Sequence, residues 1–89
     1  MTNKEKIYLQ ELSKISYIIK VINSCLTMKQ LENTKEWGVK VVENLITPSI
    51  YNASSSVAYE RYKYKLEKED QILEAYFNQK IKLTNDIKQ

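Results

Sequence analysis

Histidine is absent from this chain, and glycine, proline and cysteine each occur once. Without histidine there is no side chain that ordinarily titrates near neutral pH, and the commonest zinc ligand is missing. One cysteine, Cys25, permits no internal disulfide. One glycine, Gly38, leaves no Gly-rich phosphate loop. A single Gly and a single Pro also supply too few turn signals for an all-β chain. No apolar run approaches the roughly 20 residues of a membrane span. The first residues, Met1-Thr-Asn-Lys-Glu-Lys, mix both charges and do not lead into the apolar stretch of a signal peptide. These absences predict a non-catalytic chain with no cofactor, no metal and no membrane partner, residing in the cytoplasm.

What is present suits a helical domain. The 89 residues are enough for one domain, and an apolar fraction of 43% favours folding over disorder. A chain this short is marginally stable unless its helices pack well or it oligomerises. Basic residues comprise thirteen Lys and the single Arg61, beside abundant Ile and Asn and seven Tyr. Lys, Ile, Asn and Tyr are specified by A/T-rich codons, so the lysine content reflects codon supply as well as charge. The net charge of +3 is therefore a weak pointer to an anionic partner.

Apolar spacing predicts three helices. The first covers about residues 3–23, with Tyr8, Leu12, Ile15, Ile19, Ile22 and Leu26 as its seam and Ile7 and Ile18 widening it. The second covers about 28–46, facing inward with Met28, Leu31, Trp37, Val41, Val42 and Leu45. Gly38 lies near that face, either as a tolerated defect or where another helix approaches closely. Thr47-Pro48 ends the second helix, because the residue before proline is pushed out of the α region. Two starts compete for the third helix. One is Pro48, with Thr47 as N-cap. The other is Ser54–Ser56, which the Ser-rich run Asn52-Ala-Ser-Ser-Ser favours. The third helix then runs to about Leu83, with Ala58, Tyr62, Leu66, Leu73, Tyr76, Phe77 and Leu83 on its apolar side. The fold class is all-α: an antiparallel hairpin with a longer third helix against it, in a three-helix arrangement that self-associates.

Thr27 and Gln30 have the spacing of a capping box. The Thr27 hydroxyl accepts from the Gln30 N–H, and the Gln30 side chain returns to the N–H of Thr27. The string Ile22-x-Ser24-Cys25-x-Thr27-x-x-Gln30-Leu31, with Trp37 a few residues on, resembles an inter-helix turn in small helical proteins of tailed phages and of A/T-rich bacteria. The resemblance implies a phage or mobile-element origin, hence a place in the host cytoplasm or the virion. It transfers no catalytic or binding residue.

Candidate sites follow from the third helix. It is longer than the hairpin by about two turns at ~1.5 Å per residue, and its far end carries Tyr76, Phe77, Ile81 and Leu83. An apolar stripe left without cover marks an interface, so these four are expected to bind a protein partner or a second copy. A virion component or a small modulator of a larger protein fits this reading. The alternative is nucleic acid. Tyr59, Arg61, Lys63, Tyr64 and Lys65 interleave rings with cations, as a single-strand platform does. Helical geometry spreads consecutive residues about 100° apart and disperses that motif. Glu67, Asp70 and Glu74 share a helical face, but with no second carboxylate-bearing helix they form a solvated acidic face rather than a di-metal site. Cys25, in the turn, reads as a small buried apolar group rather than an activated thiolate.

Overall fold

In a computed structural model, residues 2–88 are described, with side chains as far as Asn85. Three helices follow in order: α1 (Asn3–Asn23), α2 (Met28–Tyr51) and α3 (Ser55–Lys88). No strand occurs among the described residues.

Local chemistry sets the helix ends. Thr2 caps α1 by accepting from the Glu5 N–H, and Thr27 caps α2 by accepting from the Gln30 N–H at 3.1 Å. The return bond differs from the reciprocal box by one position. Gln30 Oε1 accepts from Leu26 N–H at 3.0 Å, so it ties down the residue before the cap. The second helix does not stop at Thr47-Pro48 but continues through Pro48 to Tyr51. Pro48 removes one intrahelical donor near the C-terminus, but Ile46 and Ile50 on either side of it are held against the core, so the helix carries on past it. The helix then closes on bonds from Asn52 and Ala53 to the Pro48 and Ile50 carbonyls. This leaves the later of the two starts for α3, at Ser55, and α3 runs beyond Leu83 to Lys88.

The helices run up, down and up. Glu11 of α1 meets Arg61 of α3, and the Cys25 carbonyl meets Gln79. Ser49 and Glu32 of α2 meet Arg61 and Tyr76. Thus α3 is parallel to α1 and antiparallel to α2, and packs more extensively on α2. The core comprises Ile15, Ile18 and Ile22 from α1, Leu31, Val42 and Ile46 from α2, Ile72, Ala75, Tyr76 and Leu83 from α3, and Cys25 from the turn.

The buried lines differ from the most apolar lines of the sequence. On α1 the core line is Glu11, Ile15, Ile18 and Ile22, while Tyr8 and Leu26 are exposed. On α2 it is Leu31, Gly38, Val42 and Ile46. Trp37 lies outside, edge-to-face with Tyr17 at 6.2 Å. Gly38 marks a close approach: a Cβ there would come 2.6 Å from Ile18 Cγ2.

Candidate functional site

The outer face of α3 is its most apolar face. Tyr59, Tyr62, Leu66, Phe77 and Ile81 are exposed, and Leu73, on the same line, is half-buried. At about 100° per residue this line and the core-facing line lie roughly 140° apart around the helix. The core-facing line carries polar groups: Lys68 and Gln79 are buried, and Arg61 is largely covered. Each of these has a partner. Gln79 donates to the Cys25 carbonyl, Arg61 bonds Ser49 and Glu11, and Lys68 Nζ lies over the Tyr64 ring and 3.9 Å from Glu67. The bundle therefore buries a polar-bearing side of α3 and leaves an apolar stripe about 33 Å long in water.

Charged residues, mostly carboxylates, border the stripe. Asp70 sits at its middle, with Lys63, Glu67 and Glu74 along one edge, and all four are exposed. Lys65 pairs with Glu69 on the opposite edge at 3.9 Å.

The four residues expected on an overhang divide. Phe77 and Ile81 are outward, 54% and 59% exposed, but Tyr76 and Leu83 are core residues at 4% and 8%. Gln79 is level with the α1–α2 turn, so the hairpin still covers the helix at Tyr76. Leu83 is covered too, so the overhang begins about two turns later than length alone suggested. Tyr76 also donates from its hydroxyl to Glu32 Oε1. That bond, first among its causes, holds the Glu32 carboxyl below the usual carboxylate range and pushes the Tyr76 phenol up.

The five residues of the nucleic-acid motif do not share a surface. Tyr59 and Lys63 point outward, with Nζ 5.5 Å from the ring centroid. Arg61 is held by Glu11 and Ser49, its guanidinium 5.0 Å from the Tyr64 ring. Tyr64 packs against the core and Lys65 is bound to Glu69. The helix sends them in different directions, and the one arginine is spent inside the bundle.

Sequence reasoning missed a second feature, at the open end opposite the turn. A cleft of about 620 Å³ lies there, walled by Ile7, Tyr8, Leu9 and Val57, with Glu11, Ser49 and Arg61 at its base and Lys4 and Glu5 at its rim. Glu11 is only 2% exposed. Its Oε2 accepts from Arg61 Nη2, and its Oε1 has no protein partner. Arg61 Nε donates to Ser49 Oγ at 2.9 Å, and Ser49 Oγ donates to the Ile46 carbonyl at 2.6 Å. Glu11 and Arg61 stand fifty positions apart, and nothing in their separate neighbourhoods pairs them.

Cys25 is buried, its Sγ 3.3 Å from the Val21 carbonyl. Among the described residues no cluster of three or more His, Cys, Asp or Glu is placed to hold a metal. Nor is any helix long and apolar enough to cross a membrane. No family model, no curated protein and no solved structure matches the chain.

Proposed function

We propose that this chain is a non-catalytic protein-binding module, and that the outer face of α3 receives an amphipathic helix of another protein whose apolar ridge is flanked by basic residues. One observation carries the reading: α3 turns its richest apolar line away from the core and buries a line that includes Arg61, Lys68 and Gln79. Large aromatic and aliphatic side chains left in water at ~25 cal/mol per Å² favour a cover. The stripe spans about six turns, the reach of a partner helix laid along it.

Charge selects the partner's chemistry. Asp70 is the midpoint between Tyr59 and Ile81. A second copy paired along this stripe, parallel or centred antiparallel, sets Asp70 against Asp70, and like charges so placed disfavour pairing. A Lys- or Arg-flanked helix instead meets Glu67, Asp70 and Glu74 with opposite charge. The inter-helix turn's likeness to phage proteins is consistent with a small modulator or virion component encoded by a phage or mobile element.

The test is the pair Leu66→Glu and Phe77→Glu, separately and together. Both sites are exposed, so folding stability should hold within about 0.5 kcal/mol. Binding of a Leu-ridged, Lys-flanked helical peptide should be lost. Unfolding of the double variant would instead assign the stripe to the chain's own core.

A further inference from the structure

The face that α1 and α2 present together lies across the bundle from α3. We infer that it binds single-stranded nucleic acid, with Tyr17 and Trp37 stacking on bases and Lys6, Lys14, Lys20 and Lys40 meeting phosphates. Tyr17 and Trp37 meet across the two helices, ring centroids 6.2 Å apart and planes at 84°. They stay 58% and 42% exposed. An edge-to-face pair leaves ring faces open, and an open aromatic face with cations beside it is a platform for unpaired bases. Packing of two helices assembles here what the single helix disperses at Tyr59–Lys65.

Charge on this face has one sign. Lys6, Lys14 and Lys20 all project within about 60° of Tyr17 around α1, with Lys14 and Lys20 on either side of the ring. The α1 carboxylates Glu5 and Glu11 project about 120° away, and Glu11 is buried against Arg61. On α2, Lys40 projects about 60° from Trp37, while Glu32, Glu36 and Glu43 project about 100° or more away. All four lysines are exposed, and the ion pairs among the described residues engage Lys35, Arg61, Lys65 and Lys68 instead. From Lys6 to Lys20 the basic track covers about 21 Å of α1.

Other anionic partners fit this face less well. A membrane surface would take in Ser13, Asn33 and Asn44, which lie exposed among the rings and lysines, and leave their polar groups unmet. The edges of unpaired bases offer those groups partners. An acidic amphipathic helix needs a row of apolar contacts. Beyond the ring pair the groove instead sets Gln10, Ser13 and Lys14 across from a half-buried Leu45. A duplex keeps its bases stacked on one another and gains the lysine contacts alone.

Trp37 is the single tryptophan, so its fluorescence reports on this face directly. The full chain is titrated with a short oligothymidylate at several salt concentrations. Quenching should saturate, and affinity should fall with salt at a log–log slope of about −3, from four lysine contacts at ~0.7 each. Lys14→Gln with Lys20→Gln, at exposed positions, should flatten that slope by about 1.4. Tyr17→Leu, followed by the anisotropy of a labelled strand, should weaken the strand roughly fivefold or more, keep the slope, and leave duplex binding unchanged. Phe77→Glu, on the opposite side of the bundle, should leave strand binding nearly unchanged, which separates this face from the α3 stripe. Absence of salt-dependent quenching, a slope indifferent to the lysine pair, or equal weakening of strand and duplex by Tyr17→Leu would overturn the inference. Phosphatidylserine vesicles or a Glu-rich peptide that quench Trp37 with affinity equal to or above the strand's would overturn it in favour of a membrane or a protein.

Discussion

Gln79 Nε2 of α3 donates to the backbone carbonyl of Cys25 at 2.7 Å, across 54 positions of sequence. Cys25 lies in the turn between α1 and α2, outside any helical ladder, so its carbonyl needs an outside donor. A buried glutamine provides it and fixes where α3 sits along the hairpin. Gln79→Leu should cost about 1–3 kcal/mol in urea unfolding by leaving that carbonyl unmet. A loss within error would show that water reaches the turn.

The Glu11–Arg61 pair predicts a strongly non-additive cycle. Removing either partner leaves a largely buried charge alone, so Glu11→Leu or Arg61→Met should each cost about 3–5 kcal/mol. The double variant should lose far less than the sum. Additive losses in denaturant titrations would mean the two charges are independently solvated.

Gly38→Ala tests the close approach of α1 and α2. Alanine is the better helix former by up to ~1 kcal/mol, but its Cβ would lie 2.6 Å from Ile18 Cγ2. Ile18 is fully buried and β-branched, so overpacking should prevail, with a net loss of about 1–2 kcal/mol. Adding Ile18→Leu, which moves the branch away from Cβ, should recover part of it.

The three helices and the Thr27 cap were legible because short-range chemistry specifies them: Thr27 and Gln30 mark a boundary, and a 3.6-residue period marks a helix. Which side of α3 faces inward was not legible. A periodicity search follows the most apolar line, through Tyr62, Leu66, Leu73 and Phe77. The bundle keeps Tyr76 and Leu83 of the expected side inside but buries them along a line with Arg61, Lys68, Ile72 and Gln79. Those polar residues are acceptable inside only because Glu11, Ser49 and the Cys25 carbonyl lie opposite them, and these are long-range facts. The same blindness hid the open-end cleft, whose base joins positions 11, 49 and 61. On α2, the proline rule stopped the helix one turn early because it weighs Thr47 locally, whereas Ile46 and Ile50 are held against the core.

Tyr64 gives the alkaline behaviour. Burial, then the nearby Glu11 carboxylate, pushes its phenol up to about 12 from 10.0. The unfolded chain releases this proton near pH 10 and the folded chain keeps it. The contribution is therefore fully present below about pH 10 and lost as pH rises through about 12. Tyr64→Phe should flatten this loss in urea midpoints measured across that window. Near neutral pH it should be neutral or stabilising by up to ~1 kcal/mol, because the hydroxyl it removes is buried without a partner.

The outer face of α3 is tested most directly by paired affinities. Two helical peptides share one Leu ridge and differ only in their flanks, Lys in one and Glu in the other. Each is titrated against the full chain, with contacts mapped by amide shifts. The Lys-flanked peptide should shift residues from Tyr59 to Ile81 and bind roughly tenfold or more tightly than the Glu-flanked one, an advantage that shrinks with added salt. Equal affinities, shifts confined to other helices, or a chain already dimeric through α3 before peptide is added would contradict the account.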